Sequence, residues 1–233
     1  MKILALESSA IAASVALCDG ERLLAEYTIE NGNTHSETLL PMVEDVLARF
    51  GLTTDDVDLF AASSGPGSFT GVRIGAATLK GLAFDTNKPC LGVSTLEALA
   101  ENLSLVNGLI VPVMNARRKQ VYTALFCAQD GVITRLSPDD ALAITELDER
   151  LAAYDGPVYL VGDGYDITMA NLTHKTMPVP DRLRRQSAYS VAQVAYRQYL
   201  NGVHTTDAEM VATYLRPSQA ERERNERLKR EAN

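Results

Sequence analysis

The same order of hydrophobic segments occurs twice in this chain, and that repetition restricts the fold more than any other feature. In the first half, residues 2–7, 13–18 and 23–29 read as three successive strands, with Asp19-Gly20 as a hairpin turn between the second and third. A helical period then covers residues 36–50 and stops at Gly51, and a strand follows over 57–62. In the second half, strands are expected over 109–114, 120–128 and 132–136, with Asp130-Gly131 between the last two. A helix over 140–153 and a strand over 158–161 complete the second copy. Between the copies lie a glycine-rich turn, a long helix over 70–85, a short strand over 90–93 and a helix over 95–103. After the second copy come helices over 165–172 and 187–200. Internal repetition on this scale means two units of one topology side by side.

Three meandering strands followed by alternating helix and strand give mixed sheets covered by helices, an α/β arrangement. Two such units resemble the two-lobed actin/Hsp70/sugar-kinase-like (ASKHA) fold, in which nucleotide sits between the lobes. Asn107-Gly108 is the thinnest boundary, so the expected lobes are residues 1–106 and a reduced second lobe over 107–233, ending in a charged tail. That tail, from Arg216 on, has Glu223/Arg227 and Glu226/Arg230 at helical i,i+4 spacing.

Composition enters through charge. The net charge of −8 in 233 residues becomes −10 over residues 1–215, because the tail is basic. An unaided grip on a nucleic-acid backbone needs a basic face, which argues against direct nucleic-acid binding by this chain. Arg182, Arg184, Arg185 and the tail are the exceptions that can add contacts. No apolar run approaches the ~18 residues of a membrane span. The start, MKILALESS, reads as a first strand, so a cytoplasmic protein is expected. Cys18, Cys90 and Cys127 sit in apolar runs without CxxC spacing and read as buried thiols. His35, His174 and His204 are isolated, so no metal site is expected.

The strongest local motif is Gly65-Pro66-Gly67-Ser68-Phe69-Thr70-Gly71, between a strand and a helix. Backbone amides at such a turn suit an anion, with Gly65, Gly67, Ser68 and Gly71 as the candidate loop. It lacks the Gly-Lys-Ser/Thr of a Walker A motif, and a tight turn without ligand accounts for it equally well. The helix that follows is apolar or small nearly all round. Glycine within a helix costs ~1 kcal/mol relative to alanine, so Gly71, Gly75 and Gly81 need a reason. Close packing supplies one, either on a second protein or inside this chain. The helix over 36–50 is also apolar on more than one stripe, and its Pro41 is harmless only if the helix starts near residue 37 or 38.

The two strand ends that correspond across the repeat are Glu7-Ser8-Ser9 and Asn115-Ala116-Arg117. In a two-lobed ATPase these turns face the phosphates, and acidic residues there orient metal or activate the nucleophile. Here Glu7 is matched by an amide, so Glu7, Ser8 and Asn115 read as a vestigial site and no catalytic residue is assigned. The alternative is a two-lobed ATP-dependent phosphotransferase acting alone.

The segments KILALESS, NTHSETLLPMVEDVL, VDLFAASSGPGSFTGVRIGAATLKGLA, MNARRKQVYTALF and YLRPSQAERER resemble, in order and over nearly the whole chain, the TsaB (YeaZ) family. The family usually has Asp at the position of Asn115 and Glu at that of Gln120. The resemblance implies an ASKHA fold and a partner-subunit role in making N6-threonylcarbamoyladenosine at position 37 of tRNAs that read codons beginning with A. TsaD would be the transferase and heterodimer partner, and the ATPase TsaE would dock on the pair. The isolated chain would form a homodimer with the same surface. The complex would use ATP, and no cofactor would be bound tightly by this chain. The implied partner face lies on the helices over 36–50 and 70–85, with His35, Leu39, Met42, Val43, Val72, Gly75, Thr78 and Leu79 assigned to it.

Overall fold

A computed structural model describes residues 1–216 and Arg227; the paired charges expected at Glu223/Arg227 and Glu226/Arg230 rest on residues outside this set. Alternating and continuous apolar runs build two sheets. In the first, the order is β3(Arg22–Ile29), β2(Ala13–Asp19), β1(Lys2–Glu7), β4(Leu59–Gly65), β5(Cys90–Ser94). β1 is antiparallel to β2 and parallel to β4, so both of its edges are filled and its side chains beyond Lys2 are buried.

Two helices cover one face of this sheet. α1(His35–Arg49) starts from Thr34, whose backbone N–H donates to Glu37 Oε2 at 3.1 Å. Pro41 lies inside α1 rather than in its first turn. It is exposed, so the Glu37 carbonyl that loses its helical donor can face water. α2(Phe69–Ala83) packs beside α1, and the two helices share one core with Leu4, Leu6, Val15, Leu17 and Phe60. The opposite face is covered by α3(Thr95–Glu101) and by a helix from the far end of the chain, α7(Ala188–Leu200). Val191, Ala192, Val194 and Ala195 of α7 pack on Ile3, Ala5, Ala16 and Leu59. From α7 the chain continues along the first sheet: Thr205 O accepts the Cys90 N–H at 2.8 Å, and Met210 is buried with α1 and α2.

The second sheet is built around β6(Gly108–Asn115). β11(Val158–Val161) lies parallel to it, and β7(Gln120–Thr123) and β8(Phe126–Gln129) antiparallel. The one strand expected over 120–128 is two strands in unbroken register: Val113 faces Thr123 and Ile110 faces Phe126. The gap falls opposite Pro112, which has no N–H to donate to a ladder. β9(Val132–Arg135) pairs with β8, and β10(Asp140–Ala143) with β7. The expected helix over 140–153 is therefore corrected. Its first turn is β10, drawn into the sheet by the open edge of β7, and only α4(Ile144–Leu151) is helical. Two short helices, α5(Tyr165–Met169) and α6(Asp181–Arg184), complete the chain between β11 and α7.

Both sheets thus set a central strand, β1 or β6, between an antiparallel meander and a parallel neighbour, β4 or β11. Among the described residues all three cysteines are free thiols. Burial pushes Cys18 up to about 12 and Cys90 up to about 11. No helix among the described residues is long and apolar enough to cross a membrane.

Candidate functional site: a cleft at the strand ends

The carboxyl ends of β1, β4, β6 and β11 converge on a cleft of about 550 Å³ lined by Ser9, Gly67, Ser68, Asn115 and Asp163 among others. Glu7 is not on its wall. It is fully buried, and its Oε1 accepts the Ser9 N–H at 2.6 Å. Its Oε2 has no hydrogen-bond partner among the described residues. Burial raises its pKa above the ordinary 4.5, the Ser9 hydrogen bonds only partly oppose this, and the Asp163 carboxylate adds to the rise. Glu7 therefore holds its proton more firmly than a solvated carboxyl. Ser8 is turned away as well, its Oγ donating to Gly71 O at 2.9 Å.

Asn115 is exposed at the end of β6 and lines the cleft. Its side-chain Oδ1 accepts the Arg117 N–H at 2.8 Å, and its own N–H donates to Asp163 Oδ1 at 3.3 Å. Asp163 is the acidic residue that sequence reasoning missed. It follows β11, the parallel neighbour of β6, and desolvation in the cleft raises its pKa. The signal was present as Gly162-Asp163-Gly164 directly after an apolar strand. Both glycines are needed there, since a Cβ would lie 2.3 Å (Gly162) or 2.9 Å (Gly164) from Val113 O. The vestigial trio is thus not gathered at one place. Glu7 and Ser8 lie behind the wall, while Asn115 and Asp163 face the cleft.

The glycines of the turn and α2 have a packing explanation. A Cβ on Gly67 would lie 2.5 Å from Ser9 O, one on Gly71 2.0 Å from Ser8 O, and one on Gly75 2.3 Å from Ser8 Oγ. They let α2 press against the exit of β1. The candidate anion loop is partly occupied by the chain itself: Ser68 N–H donates to Ser9 O at 2.7 Å, and Ser68 Oγ caps the Gly71 N–H at 3.3 Å. Gly65 is overlaid by the C-terminal segment, where Thr213 N–H donates to Ser64 O at 2.6 Å. Next to it, Tyr214 stacks on Phe69 at 4.7 Å between ring centres and accepts a hydrogen bond from Arg73 Nε at 2.9 Å. This overlay from the distant C-terminal segment carries no local sequence signal.

Most of the assigned partner face proves to be core. Leu39, Met42, Val43, Val72, Gly75 and Leu79 are buried within this chain. His35 and Thr78 are half-buried, and His35 Nε2 lies 2.8 Å from Ala10 O. The surface the two helices do present is the adjoining one: Leu40, Pro41, Glu44 and Ala48 on α1, and Arg73, Ala77 and Gly81 on α2. α1 and α2 each face both the sheet and one another, so more than one apolar stripe of each is internal. Among the described residues there is no group of three or more His, Cys, Asp or Glu placed to hold a metal. Arg184 stacks on Tyr165, and Arg185 pairs with Glu30 and Asp181, so both are engaged within the chain.

Two sheets of one topology with a cleft at their strand ends define the class as the two-lobed actin/Hsp70/sugar-kinase-like fold. A family model described as TsaD, tRNA N6-adenosine threonylcarbamoyltransferase, matches residues 23–222. The TsaB protein of Bacillus subtilis is 36% identical over 70% of this chain and 71% of its own length. That of Haemophilus influenzae is 32% identical over 93% and 94%. Among solved structures, YeaZ from Pseudomonas aeruginosa superposes with a TM-score of 0.80 at 28% identity, covering 92% of this chain and 99% of that one. The chain belongs to the TsaB (YeaZ) family, whose named members are tRNA threonylcarbamoyladenosine biosynthesis proteins.

Proposed function

We propose that this chain is a non-catalytic subunit of the complex that transfers threonylcarbamoyl to N6 of adenosine 37 in tRNAs reading ANN codons. It pairs with TsaD, helps recruit TsaE, and self-associates through the same surface when isolated. The lobes are residues 1–106 and 107–233, with α7 and residues 201–216 of the second crossing back onto the first sheet; the location is the cytoplasm, and ATP is consumed by the complex without being held tightly here. The observation that carries this reading is the sequestration of Glu7. A fully buried carboxyl with a raised pKa, walled off by Ser9, is poorly placed to orient a metal or take a proton from a substrate in the cleft. The half-empty faces of α1 and α2 supply the partner surface, and the charge of −10 over residues 1–215 favours reaching tRNA through the partner.

Reconstitution with TsaD, TsaE, tRNA and threonylcarbamoyl-adenylate tests this. Modification should need this chain, should survive Glu7→Gln at near wild-type rate, and should be lost on Ala77→Arg together with co-elution with TsaD. Modification without the chain, or loss with Glu7→Gln in a folded protein, would sink the reading. The second reading, a phosphotransferase acting alone, draws support from Asp163, which restores an acid where Asn115 has none. It requires ATP turnover by the purified chain that Asp163→Asn abolishes.

A further inference from the structure

We infer that the tip of the β6–β7 hairpin, Arg117-Arg118-Lys119, is a phosphate-backbone contact for RNA at the rim of the cleft. The inference deepens the RNA-modification reading and rests on it for the identity of the polyanion.

The tip is an unusual use of side chains. Arg117, Arg118 and Lys119 all take left-handed backbone conformations, with φ of 64°, 53° and 56°. The Gln120 N–H closes the turn onto Arg117 O at 3.1 Å, with Arg118 and Lys119 at its centre. Ala116 N–H to Gln120 O at 3.0 Å and Ile144 N–H to Lys119 O at 3.2 Å hold it from both sides. A hairpin that needs positive φ at its centre is served best by Asn, Asp and Gly. The chain follows that rule at the β8–β9 hairpin, where Asp130 and Gly131 take φ of 52° and 82°. Among the described residues it departs from the rule only where three consecutive cations are the result. A turn that served only to reverse the chain would have no use for this cost, and strain kept in place by surrounding hydrogen bonds is a mark of functional sites.

Position and charge agree. Arg117, Arg118 and Lys119 are exposed. The turn leaves directly from Asn115, and Arg117 and Arg216 both line the cleft. Three positive charges stand on three consecutive exposed residues, and exposed charges act over ~8 Å at physiological salt. Arginine and lysine on a rigid, protruding turn suit phosphate oxygens. Because the rest of the body is acidic, this contact adds to binding by an assembled complex and is weak by itself.

The double variant Arg118→Asn/Lys119→Gly tests the assignment, because it removes two charges while supplying the residues the turn prefers. It should melt higher than wild type and co-elute with TsaD unchanged. The assembled complex should bind tRNA about tenfold more weakly at roughly 0.1 M salt, with the slope of log K against log salt reduced by about 1–2. A second arm titrates tRNA against the chain alone at low salt, where weak wild-type binding should vanish in the variant. Loss in that arm supports the contact even if the partner role is wrong. Equal affinity and equal salt slope for variant and wild type in both arms overturn it.

Discussion

At the end of β1 a carboxyl group is held where water does not reach it. Glu7 has one oxygen on the Ser9 N–H and the other without a partner among the described residues, and its pKa is raised by burial. The folded state therefore binds the proton more tightly than the unfolded chain, whose carboxyl titrates near 4.5. The stabilising contribution is complete below that value and is lost as pH rises through the folded pKa. Glu7→Gln keeps the acceptor for Ser9 and removes the charge. Unfolding by denaturant from about pH 5 to about pH 8 should show wild type losing stability relative to the variant; parallel profiles would contradict the burial argument. The glycines of α2 give a second test at this scale. Gly71→Ala forces a Cβ to within 2.0 Å of Ser8 O, a backbone atom with little room to move, and should destabilise by about 3 kcal/mol. Gly81→Ala meets nothing within 4 Å and should stabilise by about 0.5–1 kcal/mol through helix propensity. Two substitutions of one type in one helix thus separate packing from propensity.

At the scale of elements, α1 and α2 explain both what was readable and what was not. Their existence, and the close approach required by glycines within α2, follow from the sequence. The neighbour did not: it is the exit of β1, within this chain. Arginine at Gly75 or Leu79 would be an assault on the core, whereas at Ala77 it lies on the exposed side. Residues 201–216, after α7, have no regular structure, yet they seal the same core. Met210 is 2% exposed beside α1 and α2, so Met210→Ala should cost about 2 kcal/mol or more in denaturant unfolding. The β6–β7 tip stores the opposite quantity. Three left-handed non-glycine residues cost roughly 1 kcal/mol or more each, which is why replacing two of them by Asn and Gly should raise the melting temperature.

At the scale of the molecule, the chain does not fold as two consecutive pieces. α7 lies far along the sequence but covers the face of the first sheet formed by Ile3, Ala5, Ala16 and Leu59. A fragment of residues 1–106 would leave that apolar face open and should aggregate or remain unfolded. Adding residues 187–216 should restore a cooperative transition by circular dichroism, and a well-folded 1–106 fragment would refute this account of the core.

What the sequence determined by itself is what local pattern can encode. The repeated strand order, the hairpins at Asp19-Gly20 and Asp130-Gly131 and the turn into α2 all rest on side-chain periodicity and on residues that tolerate special backbone angles. So does the family, through long motifs. Tertiary structure alone decided which apolar stripe meets which. It turned Gln120–Thr123 and Phe126–Gln129 into two strands on one line, broken opposite Pro112 of β6, and drew Asp140–Ala143 into a sheet edge. It also placed Asp163 beside Asn115 while shutting Glu7 away. Those outcomes depend on hydrogen-bond partners and desolvation supplied by segments distant in sequence, and no local pattern records them.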